Sequence, residues 1–566
     1  MAASPDETTP LNGQHESSMT FGTSEGDHDR LEENKSNTET NEAPRGQFRS
    51  TISMVLSLTG CVVGTGNIWR FPRIVANNSG EGGALHFLII WAFFLFMWSM
   101  PMMLIEYATG RFSKVCVVES FKKLLGPLNM WCGGVIVIAT LGISSYYCTL
   151  CGWSLYYFYY FIFYPLPETE DESTDIFYEY TEEGSWPIFT TFIAAVIAGV
   201  SVLWSVKSLE IANSILVPIF LLLLLFNFIW AMTLEYAGSG LKFLFSPDWA
   251  LLKEPVTWMD AISQNAWDTG AGHGEFLSYA NHMTPDNGVV KLSFGIPSLN
   301  NLVSLMNGMT TYASVFAIET ANNRTTTEIV QILKTNGPGN TGLTFVWVPM
   351  LYSTVGSGGK FLAIGFFLAT AFAGISSLIA HLELYAKTLE DFGISRKPAV
   401  VFCALVVFII NIGASVSIDV LVSMDYVWAY GLLISGLILQ YLVVRYGSSL
   451  YRTEVINDYG RTDWYLPKAW EWLVKFIAPL EAIVLIVWFF IDEIITTDDW
   501  YKLGTTTLMN LFIQWVVVLS ALIGANFIYV YLWLPRRSGN YEAMTLSDGE
   551  VSSQTTENLP EKESVS

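Results

Sequence analysis

Charge is scarce in this 566-residue chain: 14% of its residues are Asp, Glu, Lys or Arg, where a soluble chain carries about 25%. Cysteine is scarcer still. The six, Cys61, Cys116, Cys132, Cys148, Cys151 and Cys403, almost all fall in or beside apolar segments, which argues against a disulfide framework. Cys148 and Cys151 spell CxxC inside an apolar run and read as two packing thiols. Basic residues are few, 29 against 51 acids, and a pI near 4.7 argues against a nucleic-acid partner. Residues 1–44 lack the apolar stretch of a signal peptide. What the chain has is 52% hydrophobic residues, with 20 Trp, 26 Tyr and 36 Phe. That combination excludes an acidic disordered protein and points to a polytopic membrane protein.

The net charge of −22 is concentrated in three places. Residues 1–44 carry ten acids and two bases, residues 168–183 eight acids and no base, and residues 538–566 six acids and Lys562. The first and last read as disordered tails and the middle one as an acidic loop. Between the tails, apolar segments recur near 50–76, 84–110, 128–163, 187–206, 212–236, 257–283, 298–320, 358–392, 398–416, 424–447, 470–495 and 507–535. Each reaches the ~20 residues that cross a bilayer as a helix, which predicts an all-α fold of twelve transmembrane helices. Arg49, Arg111, Lys114, Lys122, Lys123, Arg396, Lys397, Arg445, Arg452, Arg536 and Arg537 all land on one side of that topology. The positive-inside bias makes this side cytosolic, with both termini there and 168–183 and the sequon Asn323-Arg324-Thr325 outside.

Two spans break the apolar pattern. The first contains Gly60-Cys61-Val62-Val63-Gly64-Thr65-Gly66-Asn67, the sixth Trp267-Asp268-Thr269-Gly270-Ala271-Gly272-His273-Gly274. Glycine and polar groups at membrane depth leave backbone groups unpaired unless the helix opens there around a ligand. The two segments hold corresponding places in successive blocks of five helices, as expected of a 5+5 inverted repeat with its binding site at the broken helices 1 and 6. Glycines that permit close helix packing would account for one such segment, but not for Asp268.

Gly64-Thr65-Gly66-Asn67-Ile68-Trp69-Arg70-Phe71-Pro72 resembles the first-helix signature of the neurotransmitter:sodium symporter family. The similarity continues through Ile105-Glu106-Tyr107, Tyr146-Tyr147, Lys207-Ser208-Leu209-Glu210, Phe245-Ser246-Pro247-Asp248, Phe372-Ala373-Gly374-Ile375-Ser376-Ser377 and Met424-Asp425. It covers residues 45–447, the expected transport core; 448–535 adds helices 11 and 12, and 536–566 is the C-terminal tail.

The resemblance implies a sodium-coupled amino-acid symporter of the plasma membrane, with no enzymatic activity. One sodium site would use Val62, Asn67, Asp268, Asn307 and the substrate carboxylate, so that ion and substrate favour each other's binding. The other would use the carbonyls of Gly60, Val63 and Ala373 and the hydroxyls of Ser376 and Ser377. The substrate carboxylate would meet the amides of Thr65 and Gly66 and the Tyr147 hydroxyl, and its ammonium the carbonyls of Val62 and Trp267. Selectivity would fall to Cys61, Val62, Ile143, Gly270, His273, Ser377 and His381. The two histidines depart from the apolar residues common in related amino-acid carriers and suggest a polar or charged substrate side chain, or pH sensitivity.

Monoamine-transporting relatives place an aspartate where this chain has Gly64, which favours a substrate bringing its own carboxylate. Relatives usually carry Ser or Thr at the position of Asp268, a hydroxyl that in chloride-dependent members touches both ions. Asp268 is therefore expected to supply the charge that chloride would bring, making chloride unnecessary. The gates implied are Arg70 with Asp425 outside, under a Trp267 lid, and Arg45 with Asp391 inside, plugged by Phe48. Glu106 is expected to bond the unwound backbone of helix 6. A substrate-sensing or channel-like receptor using the same site is one alternative, which labelled-substrate counterflow separates; an enzyme acting around Asp268, His273 and Glu275 is the other, and it lacks a nucleophile–base pair or metal-ligand spacing.

Overall fold

The computed structural model describes residues 46–334 and 341–534. The expected N- and C-terminal tails, and Arg45, lie outside the described residues. Every regular element among these residues is helical. The helices used below are α1 (Thr51–Val62), α2 (Phe71–Asn77), α3 (Leu85–Ser113), α4 (Val117–Leu125), α5 (Met130–Phe163), α6 (Glu170–Thr181), α7 (Trp186–Val202) and α8 (Val206–Met232). They continue with α9 (Pro255–Thr269), α10 (Glu275–Ala280), α11 (Val289–Ala321), α12 (Gly359–Asp391), α13 (Arg396–Val416), α14 (Ile418–Tyr446), α15 (Ala469–Thr496) and α16 (Leu508–Trp533).

Among the described residues, nine helices are long and apolar enough to cross a membrane, and eleven spans result if the bent pairs α1–α2 and α6–α7 are each taken as one. The one remaining expected span, the sixth at 257–283, is split into α9 and α10, of 15 and 6 residues, each too short to cross alone. In the most apolar stretches of α5 and α12, 78% of residues are buried within the protein, against 22% in α15 and 17% in α16. The first pair forms the centre of the bundle and packs together along its length. The second pair presents its apolar side chains outward, as expected beside lipid.

Local chemistry sets the breaks. Ser50 and Ser53 form a reciprocal capping box that starts α1. The helix ends at Val63, whose backbone turns extended (φ −84°, ψ 96°). A five-residue π turn, Gly66–Arg70, runs on into α2, and Pro72, with no N–H to donate, is the second residue of that helix. The chain resumes at a 50° bend. Between α9 and α10, Gly270, Gly272 and Gly274 have φ of +69°, +100° and +77°, a region that side chains with a β-carbon rarely enter. The acidic stretch expected as a loop folds instead into α6. Thr169 caps it by accepting from Glu172 N, and Glu170, Asp171 and Glu172 place negative charge at the helix N-terminus, where it is favourable.

Arg111, fully buried at the end of α3, ties three segments together. It donates to the carbonyls of Asn287 (2.8 Å) and Ile456 (3.3 Å) and lies 3.9 Å from Asp463. Arg111→Ala is expected to cost on the order of 3 kcal/mol, because it leaves the Asn287 and Ile456 carbonyls without their donor, takes the nearby positive charge from Asp463 and empties a fully buried space. The check is a lowered melting temperature of the detergent-solubilised protein.

Candidate functional site

The two helix interruptions meet around one cavity of about 20 Å³, room for roughly one water. Of the residues expected to face substrate, Cys61, Val62, Gly66, Ile143, Tyr147, Trp267, Gly270, His273, Ser377 and His381 line it. Thr65 does not, but its amide donates to the Tyr147 hydroxyl at 3.3 Å, beside the wall. Gly64, Asn67, Asp268 and Glu275 complete the lining. Any amino acid exceeds this volume, so admitting one requires the wall to open.

Asp268, 2% exposed, sits in the last turn of α9. Its Oδ2 accepts from the Ser304 hydroxyl of α11, while Oδ1 is buried with no hydrogen-bond partner. Asn67 Nδ2 also donates to Ser304 Oγ, at 2.7 Å, so this serine joins two of the residues expected at the first sodium site. Asn67 Oδ1 accepts from Gly64 N (2.8 Å). Asn307, one turn beyond Ser304, is buried with an unpaired Nδ2. The carbonyl of Trp267 accepts from Gly270 N at 3.3 Å and keeps a second lone pair.

Four of the five residues expected at the second sodium site, Gly60, Ala373, Ser376 and Ser377, lie together. Ser377 Oγ lies 3.3 Å from Gly60 O and 3.4 Å from Ala373 O, and Ser376 Oγ donates to Ala373 O at 2.8 Å. Val63 is fully buried at the end of α1. All of these oxygens are neutral, a donor set suited to a small hard cation that must be released again.

The cavity wall also holds Glu275, whose partners only the fold reveals. Glu275, 1% exposed, accepts from His273 Nδ1 (3.0 Å) and His381 Nε2 (2.8 Å) through Oε1, and from the Cys61 thiol (2.9 Å) through Oε2. His273, Glu275 and His381 offer ligand atoms all within 4.8 Å of one another, the one such trio among the described residues.

The gates need correction. Arg70 does not pair with Asp425: its Nη1 donates to Gln264 Oε1 (2.7 Å) and its guanidinium lies 5.2 Å from the Trp267 ring centre. Arg73 faces Asp425 instead, at 3.8 Å, and the Tyr146 hydroxyl donates to the same carboxylate at 2.9 Å. The physical reason is the π turn Gly66–Arg70: its extra residue rotates the following helix, bringing the arginine one turn on toward Asp425. Trp267 does cover the cavity, its indole N–H donating to Tyr146 at 3.2 Å. On the opposite side, Asp391 accepts from Cys116 N, while the expected Arg45 partner lies outside the described residues. Phe48 packs 6.0 Å from the His282 ring and 6.5 Å from Tyr279. Closure there uses groups that the sequence does not mark as a gate. Glu210 accepts from Arg49 N (2.8 Å) and from the Ser53 hydroxyl, and Glu383 sits between His282 (3.4 Å) and Arg396. Glu106 accepts from Gly272 N at 2.8 Å, the role expected of it.

Two interrupted helices with polar groups buried between them are the architecture of a membrane transporter. The chain belongs to the Sodium:neurotransmitter symporter family, whose model matches residues 45–183 and 175–535. It is therefore a sodium-dependent transporter and not an enzyme. It is 28% identical to an uncharacterized sodium-dependent transporter of Methanocaldococcus jannaschii, over 65% of this chain and 74% of that protein. It is 25% identical to the sodium- and chloride-dependent GABA transporter ine of Drosophila melanogaster, over 62% of this chain and 40% of that protein. Among solved structures it resembles MhsT in complex with L-phenylalanine, with a TM-score of 0.68 at 26% identity, covering 78% of this chain and 99% of that one.

Proposed function

We propose that this protein is a plasma-membrane symporter that couples sodium entry to uptake of an amino acid or related small zwitterion by alternating access, with both termini cytosolic. The observation that carries the reading is the cavity where the ends of α1 and α9 meet, lined by backbone at the breaks and by Tyr147, Trp267 and Ser377. A zwitterion is matched there by helix ends of opposite polarity. The relation to MhsT, solved with L-phenylalanine, supports an amino acid. The transport core is residues 45–447, with 448–535 as flanking helices and the acidic tails 1–44 and 536–566 outside it.

Two sodium ions are assigned, one at Val62, Asn67, Asp268 and Asn307, the other at Gly60, Val63, Ala373, Ser376 and Ser377. Each ion crossing 100 mV contributes about 2.3 kcal/mol, so two sustain a steep substrate gradient. Chloride is not required, because Asp268 places a fixed negative charge where the family pattern has a hydroxyl. The unpaired Asp268 Oδ1, buried in the cavity wall, is the atom that faces sodium. The experiment is a competition screen of the standard amino acids on proteoliposomes, with sodium and with potassium, in chloride and in gluconate. Inhibition seen only with sodium and indifferent to the anion supports the reading; anion-dependent uptake refutes its chloride part.

A further inference from the structure

Glu275 is a buried carboxylate whose partners are three neutral donors. Protonation of either histidine would cancel its charge, so the proton positions decide what the site lacks. His381 Nδ1 lies 2.7 Å from Ser144 Oγ, and that hydroxyl lies 2.7 Å from the hydroxyl of Tyr385. The assignment that pairs both hydroxyl protons runs from Tyr385 to Ser144 to His381 Nδ1. His381 is then neutral, with its own proton on Nε2 toward Glu275. His273 donates from Nδ1 to Glu275, and its Nε2 is buried with no partner. As a cation, His273 would bury an unpaired charged N–H, which costs more than an unpaired lone pair. With that assignment of protons neither imidazole offsets the carboxylate, and the Nε2 of His273 is left as an acceptor in the cavity wall.

No other cation balances Glu275. Among the described residues, no Lys or Arg nitrogen lies within ion-pair distance of it; its only ion-pair-range partners are the two histidines. Arg70 is committed to Gln264 and the Trp267 face. A metal ion fits poorly, because contacts of 2.8 and 3.0 Å are direct hydrogen bonds. Ligands around a tetrahedral ion at 2.0–2.1 Å would stand about 3.3 Å apart.

We propose that this end of the cavity binds the side-chain cation of a basic amino acid, an ammonium or guanidinium, with Glu275 as its counter-charge and His273 Nε2 as a second acceptor. The inference rests on the symport reading and narrows its substrate. The helix ends hold the α-carboxylate and α-ammonium, Asp268 holds sodium, and Glu275 is the one remaining buried charge in the cavity wall.

The test is uptake of labelled L-lysine, L-arginine, L-leucine and L-phenylalanine by the full-length protein in proteoliposomes under an inward sodium gradient. L-lysine or L-arginine is expected to exceed L-leucine in kcat/KM by about tenfold or more, as a desolvated charge pair allows. Glu275→Gln is expected to cut that ratio by about tenfold, mainly through KM for the basic substrate. Should the variant transport too slowly to measure, thermal stabilisation of the purified protein replaces uptake. Sodium should stabilise both forms, and L-lysine only the unmodified one. Uptake confined to L-leucine or L-phenylalanine, or an unchanged ratio in Glu275→Gln, would overturn this inference and leave the symport reading standing. Absence of any sodium-dependent uptake or stabilisation by amino acids would overturn both.

Discussion

Asp268→Asn is expected to reduce sodium-dependent uptake by about two orders of magnitude, with a raised sodium requirement and no loss of folded protein. The substitution keeps the shape of the side chain and an oxygen to accept from Ser304, so the join between α9 and α11 survives. What it removes is the negative charge on a group 2% exposed in the cavity wall. Truncating one partner of a desolvated charge pair costs about 2–5 kcal/mol, which is where the size of the effect comes from. Asp268→Ser carries the idea further: it restores the hydroxyl of the family pattern and should make uptake depend on chloride, whereas the unmodified protein is expected to transport at full rate in gluconate. The measurement is initial uptake against sodium concentration in both anions. A sodium requirement within about threefold of the parent in Asp268→Asn, well under 1.4 kcal/mol, would remove Asp268 from the ion site.

Gly66→Ala is expected to lower uptake by about 10–100-fold, from steric conflict. A β-carbon at Gly66 would stand 1.8 Å from Trp267 Cζ3 and 2.5 Å from Cε3. The indole cannot swing aside cheaply, because its N–H is bonded to Tyr146 and Arg70 lies over its face. The added methyl must therefore displace the lid or the start of the π turn. Both matter to the proposed site: the turn carries the amides assigned to the carboxylate, and the lid covers the cavity. Trp267→Phe in the Gly66→Ala background shrinks the obstructing ring and should recover part of the lost uptake. No recovery in the double variant would mean that Gly66 is needed for its backbone conformation and not for the contact with the lid.

Whether a feature could be read from the chain depended on whether its role is local. The interruptions at Gly64–Gly66 and Gly270–Gly274 were legible because glycine and polar residues inside an apolar run are costly at membrane depth unless the helix opens there. Asp268 stood out for the same reason. The pairing of Arg73 with Asp425 was not legible, because it depends on a π turn that adds one residue between the break and α2. Glu275 could be named beside Asp268 and His273, but its role was hidden. It follows a glycine at the start of a short helix, where an acidic residue is ordinary, and its meaning appears only when α12 brings His381 against it from 106 positions away. The histidines signalled a polar pocket, but the sequence held no sign of which group they served. Ser304 joins Asn67 to Asp268 across three helices, and a lone serine in an apolar helix is too common to mark. α6 carried a readable signal in Thr169 and the three acids after it, which lost out to the overall polarity of the stretch.

Coupling is what separates a symporter from a passive pore or a receptor built on the same site. Purified full-length protein reconstituted into proteoliposomes should accumulate a labelled amino acid above the outside concentration when sodium is higher outside. That accumulation should collapse when a sodium ionophore dissipates the gradient. Uptake that merely equilibrates, or that proceeds equally in potassium, would contradict sodium-coupled transport through this site.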